Sequence, residues 1–179
     1  MNFTKTTTVA AAVVLLAGPV AAQTVGIGTT AKGATSQVTA AIASVVSKFG
    51  GMQMRPSPMA GTQKYIPAVN SGSLEFGAAN IMQTTWAIKG QVLSKGLPNP
   101  NIKLVSTLMK FRVGPLVGKK TSFQSVSDLK GLKAPTGFKA APLFNELISA
   151  ALATKNLTIA DTKNVPISAL VPSWKALME

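Results

Sequence analysis

A chain of 179 residues with 18 Lys and Arg, five Asp and Glu, no His and no Cys lacks an imidazole base, a thiolate nucleophile, a disulfide framework and the commonest metal ligands. Its carboxylates, Glu75, Asp128, Glu146, Asp161 and Glu179, are scattered rather than paired, so neither an acid–base dyad nor a hard-metal cage is visible; the chain is expected to be no enzyme and to carry no cofactor. The net charge of +13 is dispersed, includes only Arg55 and Arg112 as arginines and has no interleaved aromatics, which argues against nucleic acid as a partner and leaves attraction of small anions as the use of the charge.

The first 22 residues hold Lys5, a threonine run, an apolar stretch over 9–17, and Gly18-Pro-Val-Ala-Ala22. A positive start, an apolar run too short to span a bilayer and small residues at Val20 and Ala22 have the form of a secretory signal cut after Ala22. The mature chain, residues 23 onward, is therefore expected to be exported and soluble. An amphipathic or buried N-terminal helix is the competing reading, disfavoured because the segment is apolar all round.

The organising stretch runs over 24–49. Val25 and Ile27 mark a short strand, a Gly/Thr-rich turn follows, and Val38, Ala41, Ile42, Val45, Val46 and Phe49 recur as on one helix face. A strand–loop–helix unit aims the free N–H groups of the first helical turn into the loop, where the helix dipole favours an anion. The glycines are expected to let a ligand approach, and the hydroxyls of Thr29, Thr30, Thr35 and Ser36 to bond it. A plain structural turn explains the same residues. Gly26-x-Gly28-x-x-Ala31 fits a dinucleotide fingerprint, but that motif wants an acidic residue about 20 positions on, and the first acid in the chain is Glu75.

Further on, residues 52–56 read as a second strand and 57–61 as a turn. A short helix is predicted over 62–70, ended by Ser71-Gly-Ser73, then a third strand over 74–80 and a helix over 81–89. Strand and helix alternate three times, as in an open parallel sheet whose ligands collect at the carboxyl ends of the strands. After a Gly/Pro loop, residues 102–119 hold more apolar positions than one short strand needs, and predict a strand passing from one lobe to another. Ser125-x-x-Asp128 predicts a capped short helix stopped by Gly131. Ser127-x-x-Lys130 also resembles a nucleophile pair, but the cap explains the spacing with less. Residues 132–135 end a strand, Thr136-Gly137 form a turn, and Phe138, Ala141, Phe144, Leu147, Ile148, Ala151 and Leu152 mark a helix face. A last helix is predicted over 169–179.

The order of the Gly/Thr loop, Ala60-Gly-Thr62, Ser71-Gly-Ser-Leu-Glu-Phe-Gly-Ala-Ala-Asn80, Ser127-Asp-Leu-Lys-Gly-Leu-Lys133 and Thr136-Gly137 resembles the TAXI family of periplasmic solute receptors that serve TRAP transporters. The resemblance implies an α/β fold of the type II periplasmic-binding-protein kind: two lobes, each a central sheet flanked by helices, closing over a small organic anion such as a carboxylate or amino acid. A TRAP membrane permease is the implied partner. By this likeness the first lobe covers 23–110 and the second 111–179. Because family members continue further, the second lobe and the return crossover would be incomplete, the chain a fragment, and its independent stability poor. An ABC-type importer uses the same fold and is the alternative.

Carried over by position, the implied binding residues are Thr29, Thr30 and Gly33 on the first loop, Ala60, Gly61 and Thr62 on the second, Asn80 after the third strand, and Thr136 and Gly137 in the other lobe. Where the family's first loop is richer in glycine and runs on to aromatics, this chain has Ala31-Lys32-Gly33-Ala34-Thr35-Ser36-Gln37. Lys32 either pairs with an anionic ligand or is an ordinary solvated lysine. Arg112 is either a bidentate carboxylate clamp or a solvent-facing hinge residue.

Overall fold

In the computed structural model, residues 23–119 and 121–178 are described; the signal peptide expected over 1–22 lies outside them. Strand β1 (Thr24–Thr30) is the centre of a parallel sheet of order β2-β1-β3, flanked by β2 (Gln53–Met59) and β3 (Phe76–Gly77). Alternation sends Val25 and Ile27 to one face, where they are buried in a cluster with Met54 of β2 and Ala43 of helix α1 (Ala34–Phe49). Ile42, Val46, Met52 and Phe76 pack around that cluster.

The other face of β1 is made of glycine for a packing reason. A Cβ added at Gly28 would stand 2.7 Å from Cβ and Cγ of Tyr65 and 2.9 Å from Cδ2 of Leu74, and one added at Gly26 would stand 2.6 Å from Cδ1 of Leu74. Tyr65, on helix α2 (Thr62–Asn70), is fully buried, so its ring lies against bare strand backbone. Its hydroxyl donates to the Ala78 carbonyl at 2.5 Å and lies 3.2 Å from Thr62 Oγ1. Burial pushes the phenol's pKa up, opposed by the Thr62 bond. Gly26 and Gly28 thus admit α2 and Leu74, not the ligand that the sequence suggested.

Two strands differ from their predicted lengths. β2 continues through Pro56 and Pro58 because it is an edge strand. Met54 turns its N–H and C=O away from β1 to the hydroxyl of Ser47 on α1, at 2.9 and 3.3 Å; Pro56 and Pro58 follow at the same parity, where no ladder donor is required. β3, predicted over 74–80, pairs only at Phe76 and Gly77. Leu74 turns inward to be buried, and the Glu75 carboxylate takes the Gly26 N–H at 2.6 Å where a backbone carbonyl would continue the ladder. Helix α3 (Ile81–Lys89) follows and ends at Gly90, whose φ of 70° is the left-handed conformation of a helix stop.

A second parallel pair, β4 (Lys133–Thr136) and β5 (Lys163–Pro166), is joined by helix α4 (Leu143–Ala153) and followed by helix α5 (Leu170–Met178). The capping box forms as predicted: Asp128 Oδ2 accepts from the N–H groups of Gln124 and Ser125 at 2.8 and 2.9 Å, opening a short 3-10 turn (Val126–Leu129). Ser127 Oγ donates to Ser125 Oγ at 3.0 Å, in keeping with a cap rather than a Ser/Lys pair. Helix α4 starts five residues later than Phe138, since Pro142 disfavours helical backbone at Ala141. Phe138 is nevertheless buried, held by two bonds between its backbone and the amide of Asn145.

Residues 102–119 overturn the expected crossover strand. The run is without regular secondary structure and its side chains are exposed from 103 onward, with Val105 at 80 % and Leu116 at 68 %. Apolar, β-prone sequence becomes a strand only beside a neighbour that takes its N–H and C=O groups, and among the described residues none runs alongside.

Two expectations follow from these contacts. Gly28→Ala drives a methyl into Tyr65 and Leu74 and should lower unfolding free energy by about 1–3 kcal/mol in urea titrations; unchanged stability would contradict the packing role. Glu75, Asp128 and Asp161 each accept backbone N–H bonds, from Gly26, from Gln124 and Ser125, and from Thr158, which hold all three below the usual carboxylate range. Their contribution is complete above the unfolded carboxylate values of about 4 and is lost as pH falls through the lower folded values. Urea midpoints measured down this range should therefore fall with pH, and the Glu75→Gln chain should show a shallower fall.

Candidate ligand-binding site

Parallel register brings the strand ends to one rim, with Thr30 beside Met59 and Gly28 beside Gly77. Three helices start there. α1 opens behind Gly33 (φ 93°, ψ −171°) and α2 behind Gly61 (φ 148°, ψ 166°), neither with a side-chain cap and neither with an acidic residue in its first turn. Their leading N–H groups keep the partial positive charge of a helix start. α3 differs: Asn80 Oδ1 accepts the Gln83 N–H at 2.9 Å, and Asn80 Nδ2 donates to Gln83 Oε1 at 2.5 Å. Asn80, expected as a ligand contact, has its amide engaged as the cap of α3.

Thr29 is only 1 % exposed and its hydroxyl has no hydrogen-bond partner among the described residues. An orphan hydroxyl at the end of the central strand is unusual, because buried polar groups are nearly always paired. Thr30 donates to the Lys32 carbonyl at 3.0 Å and bends the loop back, leaving Lys32 and Gly33 exposed. On the second loop, Ala60 is exposed, Gly61 is buried and Thr62 bonds Tyr65.

The second sheet approaches at Gly61. A Cβ added there would meet the Ala140 carbonyl at 2.7 Å and the Gln63 amide at 2.6 and 2.8 Å, and its φ independently favours glycine. The turn after β2 thus touches the turn after β4, which begins at Gly137 (φ 74°) and is fixed by the Ala140 N–H donating to Ser168 at 3.1 Å. Thr136, half-buried, donates to the Val165 carbonyl at 3.5 Å and borders a cavity of about 250 Å³ with Asn145, Ser149 and Asn164. Arg112 lies exposed on the 102–119 run and makes no hydrogen bond or ion pair among the described residues. The structure therefore brings Gly61 to the second sheet's loop; it records no such contact for Arg112.

Sequence reasoning missed Gln63, whose Oε1 is buried without a hydrogen-bond partner among the described residues. A glutamine beside Thr62 on an exposed-looking helix start carries no signal of that burial. Among the described residues, no group of His, Cys, Asp or Glu could hold a metal ion, and no helix is long and apolar enough to cross a membrane.

No protein-family model and no curated protein matches the chain. Among solved structures it is similar to the periplasmic aliphatic sulphonate binding protein SsuA from Escherichia coli, at 17% identity and a TM-score of 0.53, over 87% of this chain and 48% of that one. The chain has a periplasmic-binding-protein fold of type II. The alkanesulfonate-binding protein SsuA from Xanthomonas axonopodis pv. citri, bound to MOPS, aligns at 20% identity with a TM-score of 0.47, over 87% of this chain and 50% of that one. The chain spans about half the length of these structures, and at 17% identity the likeness to the Escherichia coli protein is one of fold.

Within this periplasmic-binding-protein fold, the orphan hydroxyl of Thr29 yields a direct test. Thr29→Val removes a buried group that has lost its water without gaining a partner, so the free protein should gain roughly 1 kcal/mol in chemical denaturation. A loss of 1 kcal/mol or more would show that the hydroxyl is bonded after all.

Proposed function

We propose that this chain is an extracytoplasmic receptor, residing in the periplasm, that captures a small organic anion between lobes spanning 23–110 and 111–179 and delivers it to a membrane permease. The observation that carries the reading is the pair of uncapped helix starts, Gly33 of α1 and Gly61 of α2, opening on one rim with no carboxylate in either first turn. Such ends favour an anion by dipole and by free N–H groups together. The net charge of +13 raises the encounter rate with one. In this reading Thr29 and Thr30 offer hydroxyls, Gly33, Ala60, Gly61 and Thr62 bring backbone N–H groups close, Asn80 fixes the third turn, and Thr136 and Gly137 complete the site from the other side. Lys32 and Arg112 are charged candidates for the anion's outer oxygens.

An ABC-type importer is the transporter class this reading puts first, supported by the fold shared with a sulphonate binding protein. A TRAP permease is the second, favoured by the likeness of the 71–80 sequence to TAXI receptors. Sulfonates, carboxylates and amino acids are the solutes to try.

A thermal-shift screen of the chain against alkanesulfonates, dicarboxylates, amino acids and phosphate tests the proposal. One anion class should raise the melting temperature, because a ligand held only by the folded state stabilises by about 2.7 kcal/mol at 100 times its Kd. Thr30→Ala should shrink that rise. No shift with any anion would remove the receptor reading.

A further inference from the structure

Three of the carboxylates stand toward one end of the strands. Glu75 immediately precedes β3 and accepts the Gly26 N–H. Gly26 is four residues short of Thr30, about 13 Å along β1. Asp128 precedes β4 and Asp161 precedes β5, each engaged in capping its own short 3-10 turn. All three therefore lie toward the amino ends of the strands, whereas the rim is formed at the carboxyl ends, where the turns after β2 and β4 meet at Gly61 and Ala140. Glu146 is exposed on α4, outside the three turns of the first sheet, and Glu179 lies outside the described residues.

The backbone acceptors of the rim are engaged as well. In the first turn the Lys32 carbonyl takes the Thr30 hydroxyl at 3.0 Å, and in the second the Gly61 carbonyl takes the Lys64 N–H at 2.9 Å. In the third the Ala78 carbonyl takes the Tyr65 hydroxyl, and the Asn80 carbonyl takes the N–H and hydroxyl of Thr84 at 3.1 and 3.0 Å. From the second sheet, the Thr136 carbonyl takes the Ile167 N–H at 2.6 Å. Thr29 Oγ1 and Gln63 Oε1, unpaired among the described residues, are closed off from solvent and give an incoming ammonium group no acceptor. What the rim has left over is donors: the leading N–H groups of α1 and α2, and the exposed Lys32.

We infer that the rim takes organic oxyanions that carry no ammonium group, so that amino acids are not its solutes. This rests on the receptor reading above and narrows its substrate class. An ammonium group entering the rim gives up its water with neither a carboxylate nor an unengaged carbonyl to replace it, and it faces the positive ends of two helices. A sulfonate or carboxylate oxygen meets donors. Selection thus comes from what the rim withholds.

The test is a calorimetric titration of the chain with pairs of compounds that differ only in the amino group. The probes are propane-1-sulfonate against 3-aminopropane-1-sulfonate, and glutarate against L-glutamate. The amino-free member should bind at least about tenfold more tightly, because a charged group left without a partner is rejected strongly. Lys32→Glu, which places a carboxylate at an exposed position of the first turn, should narrow that ratio severalfold, whereas mere damage to the fold would weaken both members alike. The inference falls, and the receptor reading stands, if the two members of a pair bind equally, if the amino member binds more tightly, or if Lys32→Glu leaves the ratio unchanged. Binding of an amino member that Glu146→Gln abolishes would also overturn it and name the acceptor. If none of the four probes binds, the inference falls, and the receptor reading falls with it only when the wider anion screen is silent too.

Discussion

The contact on which the rest depends is the ring of Tyr65 lying on the bare backbone of Gly28. Because the strand offers no side chain there, α2 sits close enough for the tyrosine hydroxyl to reach the Ala78 carbonyl just past β3. That bond ties the turn after the third strand to the helix after the second, and Thr62 joins the same hydroxyl from the start of α2. One side chain thereby sets the spacing of two of the three rim turns. Core burial on the α1 side supplies the nondirectional part of the stability, while the α2 side supplies the geometry.

Periodicity made much of the α/β alternation legible. Helices α2 and α3 fall where the sequence puts them, because their ends are written in local signals, a Ser-Gly-Ser stop for one and an Asn cap with a glycine stop for the other. The glycines of β1 were legible as a feature and misleading as to cause. A G-x-G pattern says that something comes close, and whether that is a ligand or the neighbouring helix is decided by residues about 40 to 50 positions away, Tyr65 and Leu74. The length of β3 failed for the same reason. Only the fold brings the Glu75 carboxylate to the Gly26 N–H. The orphan oxygens of Thr29 and Gln63 were equally hidden, since an unsatisfied group is defined by what does not surround it.

The 102–119 run shows the complementary failure. Its composition is that of a strand, and a strand is a relation between two segments rather than a property of one. The apolar side chains of Leu104, Val105, Leu108 and Phe111 remain more than half exposed, a surface that isolated soluble domains rarely keep. Helix α5 exposes Val171, Trp174 and Leu177 at a spacing of three, so it too turns an apolar stripe outward.

The outer side of β2 behaves in the opposite way. Its polar backbone groups at Met54 are consumed by Ser47, and the next two outward positions are prolines that cannot donate. An incoming strand would find no ladder to join on that border. Self-templated association of the first sheet is thus blocked on one flank by one serine hydroxyl and two prolines, and any growth in its width is confined to the flank beyond β3.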